Sequence, residues 1–203
     1  TNICQAELLV DGEVMDRKEF GIGGSWLWRV FGPFWDSKTG FTNSVDFDRE
    51  YLPEARITPD LPICGDAIPY HRQFIFATPV DAFTTAELFE CRGPLVTYLL
   101  QYIDSPEERD NWLMVGNSSS FKLWLNRKLE MQDDTRHALM PFDNCKTVRM
   151  KKGINKLLVK LVRYGDEMRF SFGVRNVERT SWHSSRWTTD IAVVPPLEGR
   201  GLG

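Results

Sequence analysis

The sequence predicts an all-β fold of the sandwich type, and three observations carry that prediction. Short runs rich in Val, Leu, Ile, Tyr and Phe recur between Gly, Pro, Asn and Ser signals over residues 26–175. No segment holds the 3.6-residue periodicity of a long amphipathic helix. In residues 121–131, FKLWLNRKLEM, two alternating runs are separated only by Asn126-Arg127, the pattern of a β-hairpin. Alternation there sets Phe121, Leu123 and Leu125 on one face and Lys122 and Trp124 on the other. The chain has 203 residues and 42% hydrophobic content, enough for a substantial core. One β-sandwich domain over residues 1–178 is expected, its first ~20 residues peripheral, with residues 179–203 forming a C-terminal extension or tail.

Taken in order, residues 26–31 read as a strand stopped by Gly32-Pro33, followed by an aromatic loop from Trp35 to Phe41. Residues 44–70 hold Pro53, Pro59, Pro62 and Pro69 with few periodic apolar positions, so a long connection wrapping the surface is expected. RQFIFATPV and AELFECRG read as short strands, with a helical turn over residues 84–89 as the alternative for the second. PLVTYLLQYID is a strand, and Ser105 before Pro106 suits a capped helical turn. WLMVG, NSSS and the hairpin follow. Three more strands are expected over residues 147–150, 156–162 and 168–174, with Gly153 turning between the first two. The Asn126-Arg127 turn lacks the glycine favoured at its second position, so a distorted or bulged loop is expected there.

The net charge of −3 conceals an asymmetry. Residues 1–145 carry 13 basic and 23 acidic groups, whereas residues 146–187 carry 11 basic and 3 acidic ones. The basic block alternates with strand formers, as on the wet face of a sheet, which disfavours a nucleic-acid interface; the acidic first part could also dock against it. No stretch approaches the ~20 apolar residues of a membrane span. The first residues lack the basic and apolar regions of a signal peptide. Cys4, Cys64, Cys91 and Cys145 form no CxxC pair, which disfavours a clustered zinc site. Two long-range disulfides are open in an exported protein; free thiols in a reducing, cytoplasmic compartment are the plainer expectation.

Together, WRVFGPF, the Pro-Glu step in YLPEA, the run from GPLVTYLLQYID to FKLWLNRKLEM, and VRMKKGINKLLVKLVRYGDEMRFSFGV resemble the galactose-binding-domain-like jelly rolls appended to bacterial glycan-active enzymes. The likeness covers roughly residues 26–175. It implies a jelly-roll β-sandwich serving as a noncatalytic, carbohydrate-binding-like accessory module of a larger bacterial enzyme, with a glycan or an adjacent domain as partner. A purely structural or protein-interaction sandwich without a ligand site is the alternative. The family's Asn-Gly turn is Asn126-Arg127 here, and the residues after Val174 have no counterpart.

Signatures of nucleophilic catalysis are missing: there is no GxSxG elbow, and GIGGSW leads into a strand. An enzyme reading would need His71, His137 and Asp133 to converge. Sugar recognition calls for exposed aromatic faces beside polar groups. Trp26, Trp28 and Trp124 lie in strand-like runs and read as core. Trp35, Trp112, Trp182 and Trp187 lie in or beside loops, and SWHSSRW places Trp182, His183, Arg186 and Trp187 within six residues, as a sugar site or as anchors folding the extension back. Asp133, Asp134, Asp143 and Asn144 are candidate oxygen ligands for a structural calcium.

Overall fold

In the computed structural model, residues 2–10, 13–22, 26–37, 43–61, 72–78, 82–177 and 192–194 are described. Two antiparallel sheets dominate them, and no α-helix is present among the described residues. The strands are β1 (Asn2–Val10), β2 (Glu13–Ile22), β3 (Trp26–Phe34), β4 (Asp36–Ser37), β5 (Asn43–Ser44), β6 (Arg72–Thr78), β7 (Phe83–Thr84) and β8 (Leu95–Ser105). They continue with β9 (Arg109–Asn117), β10 (Ser120–Leu125), β11 (Lys128–Asp133), β12 (Asn144–Met150), β13 (Gly153–Arg163), β14 (Arg169–Asn176) and β15 (Ala192–Val194). The large sheet runs β11-β10-β13-β8-β3-β6, and β15 also pairs with β8; the small sheet runs β12-β9-β14-β7. Strands β1 and β2 form a hairpin of their own, and β4 with β5 make a short ribbon. The extension thus contributes β15, Val193 facing Ile103 in the ladder.

Strand β8 organises the molecule because it is covered on both faces, which is why its sequence is a nearly unbroken apolar run. Leu95, Leu99 and Ile103 point into the core between the sheets, where they meet Leu113, Val115, Phe170 and Phe172 of the small sheet. Trp28 closes edge-on against Phe172, ring centroids 5.3 Å apart. Val96, Tyr98, Leu100 and Tyr102 point the other way, into a second cluster with Phe31, Phe34, Ile57, Leu158 and Val162. That outer cluster is roofed by the long connection, which contributes Val45, Phe47, Tyr51, Leu52 and Leu61. The part of the wrapping connection that is described, residues 43–61, is therefore a third layer.

An irregular layer brings backbone carbonyls without ladder partners, and the sheet supplies donors for them. Lys160 of β13 is fully buried; its Nζ donates to the carbonyls of Phe47 and Arg49, each at 2.7 Å, and lies 3.4 Å from Glu54 Oε1. Burial pushes the Lys160 ammonium pKa down, while Glu54 pulls it back up. Lys156 Nζ donates to Ile57 O. Lys122 pairs with Asp48 at 2.7 Å and sits 4.3 Å from the Phe47 ring centroid. On the inner face, buried Arg163 donates to the carbonyls of Gly93 and Cys91 at 2.9 and 2.7 Å. The basic block is accordingly not a wet sheet face at these positions: Lys160 and Arg163 are buried beneath loops that need their protons, and acidic Glu54 docks on Lys160.

Two local expectations are corrected. Gly32-Pro33 does not stop β3: the strand bulges, so that Phe31 faces Tyr98 and Phe34 faces Val96. Gly32 takes φ 144°, and Thr97 Oγ1 donates to Phe31 O at 2.9 Å within the irregularity. No helical turn follows Ser105: β8 runs to that residue, β9 starts at Arg109, and the Ser105 hydroxyl donates to Glu107 O at 2.7 Å instead of capping a helix. For residues 84–89 the helical alternative holds in part, with a 3-10 turn at Thr85–Glu87 closed by reciprocal bonds between Thr84 and Glu87.

Replacing Lys160 by Met keeps the volume and removes the donor, leaving two carbonyls and the Glu54 carboxylate short of a partner. The expected cost is about 3 kcal/mol in urea unfolding. Amide exchange over residues 46–57 is expected to accelerate more than exchange in β8.

Candidate functional site

The outer layer does not reach the end of the β10–β11 hairpin, and where it stops a cleft of about 120 Å³ opens. Its floor is Trp124 of β10 and Leu158 of β13, which face each other in the ladder. One wall is the connection, through Glu50, Glu54 and Ala55; the other is Arg127 with Lys156.

Each wall is held from beneath. Asn126 and Arg127 take φ 51° and 72°, the positive values at both central positions of a two-residue type I′ turn. The expected distortion at the turn itself is thus absent. The bulge falls within β11, where the register skips Glu130 between Leu129 and Met131. Asn126 ties the turn to β13: its backbone N donates to Lys156 O at 2.8 Å, its Oδ1 accepts from Lys156 N at 2.9 Å, and its Nδ2 donates to Asn155 Oδ1 at 2.9 Å. Asn155, fully buried, in turn bonds Lys151 O and Gly153 O at 2.8 and 2.9 Å. Arg127 and Lys156 are thereby brought side by side, and burial, then the neighbouring Arg127 charge, lower the Lys156 pKa.

The opposite wall rests on Tyr98 and Lys160. Tyr98 OH donates to Glu54 Oε1 at 3.0 Å and accepts from Tyr51 N at 3.2 Å. Burial, then the Glu54 charge, raise the Tyr98 phenol pKa, and burial is the first cause pushing Tyr51 up to about 12. Both remain neutral donors at ordinary pH. Tyr51 OH reaches Asp36 Oδ2 at 2.9 Å, and Arg49 pairs with Asp36. The wall is a fixed strap, while Glu50 and Arg127 have no side-chain partner among the described residues.

Of the sequence-predicted sugar residues, Trp182, His183, Arg186 and Trp187 lie outside the described residues. Trp35 is half-buried just after β3. Trp112 is half-buried in β9; its neighbours Asn111 and Leu113 are buried, so alternation puts it on the outer face of the small sheet, and it does not line the cleft. Trp28 is core as expected, and the Trp26 side chain is outside the described set. Trp124 is not plain core: it is half-buried and floors the cleft. Its placement opposite Phe121, Leu123 and Leu125 was the available signal; the connection crossing above it left none.

The proposed calcium ligands form a hydrogen-bonded knot. Asp133 Oδ1 accepts from Thr135 N and Oγ1 at 3.0 and 2.7 Å, and Oδ2 accepts from Asn117 Nδ2 at 3.0 Å, with His137 Nε2 at 3.4 Å. Asp134 Oδ1 accepts from Ser120 Oγ and Tyr164 OH at 2.6 and 3.1 Å. Asn144 turns its Nδ2 donor, not an oxygen, toward Asn117 Oδ1 and Asp143 Oδ1. Among the described residues no three His, Cys, Asp or Glu side chains are grouped to hold a metal. His71 and His183 lie outside the described residues. Cys91 and Cys145 are free thiols; Cys4 and Cys64 side chains are outside the described set. No helix among the described residues is long and apolar enough to cross a membrane.

No family model matches the chain, and no curated protein matches it. Among solved structures, 41% of the chain overlays 10% of a β-glucosidase from Kluyveromyces marxianus solved with glucose, at 17% identity and TM-score 0.36. The PA14 domain of the antifreeze protein MpAFP overlays 54% of the chain with 56% of its own length, at 9% identity and TM-score 0.41. A GH31 α-xylosidase from Xanthomonas citri overlays 41% of the chain with 12% of its own, at 10% identity and TM-score 0.30. The chain thus spans about a tenth of the glycosidases it overlays. Likenesses this loose carry no argument about the cleft.

Two outcomes follow from the local chemistry. Arg127→Gly is expected to stabilise the fold by about 0.5–1 kcal/mol in urea unfolding, because glycine relieves a positive φ. For Asp133, burial raises the carboxyl pKa but the bonds from Asn117, Thr135 and His137 outweigh it, so the net shift is downward. Stability from this shift is present above the ordinary carboxyl pKa and lost as pH falls through the depressed one. Asp133→Asn is therefore expected to cost about 1–2 kcal/mol at pH 7, with the gap to the parent protein closing as pH falls through the depressed Asp133 pKa.

Proposed function

We propose that this chain is a noncatalytic, galactose-binding-like jelly-roll module that binds glycan as an accessory part of a larger glycan-active enzyme. The observation that carries the reading is the cleft: an aromatic floor, Trp124, between a carboxylate, Glu50, and a guanidinium, Arg127, neither of which has a side-chain partner among the described residues. A pyranose has an apolar C–H face that stacks on an aromatic ring and a rim of hydroxyls that bind charged groups bidentately. Both halves of that recognition are present on rigid supports.

The size of the cleft sets the strength of the interaction. At about 120 Å³ it is well below the ~300–1,000 Å³ of pockets that enclose drug-sized ligands, so it suits one sugar ring of a longer chain. A hexose has about 12 heavy atoms; at roughly 0.3–0.4 kcal/mol per atom the binding energy is about 4 kcal/mol, a Kd near 1 mM. Binding at that strength suits an appendage that gains from attachment to the same enzyme as the catalytic domain, through a raised effective concentration.

Titration of a panel of oligosaccharides, followed by intrinsic Trp fluorescence, is expected to give saturable binding near the millimolar range. Trp124→Ala is expected to weaken it at least tenfold, while Trp112→Ala leaves it unchanged. Silence of the parent protein across the panel would overturn the reading in favour of a structural or protein-interaction sandwich.

A further inference from the structure

The charges around the cleft are not balanced. Of its two carboxylates, Glu54 is already satisfied from below, by Lys160 at 3.4 Å and by the Tyr98 hydroxyl at 3.0 Å. Glu50 stands at the exposed rim. On the other wall, Arg127 and Lys156 stand together with no carboxylate in ion-pair distance among the described residues. On the same strand as Trp124, Lys122 has a carboxylate, that of Asp48, at 2.7 Å. Lys128, the immediate neighbour of Arg127, is paired with Glu130 at 2.9 Å.

Two adjacent cations without a counter-ion repel each other, and the depressed Lys156 pKa records that repulsion after the effect of burial. The local backbone maintains the arrangement at a cost. Arg127 sits at φ 72°, where glycine is favoured, and Asn126 and Asn155 lock the turn onto β13 beside Lys156. A residue kept against the conformational preference of its position, with its head group unpaired at the mouth of a cleft, points to a ligand.

We infer that the cleft selects an acidic pyranose, a uronic-acid residue whose carboxylate lies between Arg127 and Lys156 while its ring stacks on Trp124 and its hydroxyls face Glu50; this rests on the glycan-binding reading above. The guanidinium fork matches a carboxylate bidentately, and Lys156, which gives one proton to Ile57 O, retains two for the ligand. Glu50 opposes a second negative charge at the far rim and accepts from hydroxyls, so the site favours one acidic group per ring over a polyanion.

The test uses matched probes with the full chain: oligogalacturonides as free acids and as methyl esters, and xylooligosaccharides with and without a glucuronate branch, titrated by Trp fluorescence. The acidic member of each pair is expected to bind at least tenfold more tightly. That preference is expected to disappear in Arg127→Gln, to fall in Lys156→Gln, and to shrink in 0.5 M NaCl. Arg127→Gly serves as the second variant, since the turn accommodates glycine, and is expected to lose the preference while folding at least as well as the parent. Equal binding of acidic and neutral members would overturn the acidic-sugar inference and leave the glycan-binding reading in place. Absence of binding by every member of both pairs and by the neutral oligosaccharide panel would overturn both.

Discussion

The structure depends on one constraint: the large sheet must be covered on both faces. Strand β8 offers Leu95, Leu99 and Ile103 to the core between the sheets and Val96, Tyr98, Leu100 and Tyr102 to the other side. A second sheet covers the first set, and residues 43–61 cover the second. Those residues form almost no ladder, so their carbonyls need donors from elsewhere. Lys156 and Lys160 provide them from the middle of a strand. A buried ammonium is costly unless it is fully hydrogen-bonded, and Lys160 meets that condition with two carbonyls and Glu54. The same lysines that permit an irregular roof also fix where it lies.

The cleft is a by-product of that roof. Glu54 is anchored on Tyr98 and Lys160, and the hairpin is anchored through Asn126 and Asn155, so the two walls are held independently on one rigid sheet. Between them the outer cluster ends at Trp124, whose ring is covered only in part. The walls themselves are loop and turn segments, held in place because the strand residues beneath them, Tyr98, Asn155 and Lys160, are locked to them by hydrogen bonds.

Much of the strand order was legible from local chemistry. The hairpin at residues 121–131, the apolar run of β8 and the Gly153 turn each carry a pattern that one stretch of chain defines. What escaped reading was non-local. KLLVK looks like a strand with wet lysines because alternation reveals which residues share a face and says nothing about what lies above that face. Gly32-Pro33 looks like a stop because the local rule is sound for an isolated strand; β8 accommodates it through a bulge and Thr97. Trp124 was placed on the correct face and misjudged as core for the same reason as the lysines: Glu50 and Glu54 reach it from about 70 residues earlier in the chain, in a segment without periodicity. The SWHSSRW segment, with its local density of the right residue types, lies outside the described residues.

The short strand β15 has a further consequence. One edge of β8 is fully occupied by β13, but the other is shared: β3 takes it as far as Leu100, and β15 takes Tyr102, Ile103 and Asp104. Without β15, the most apolar strand of the molecule would present three unpaired backbone positions, a template for recruitment by a second molecule. Ala192–Val194 therefore act as a seal over that stretch of the β8 edge.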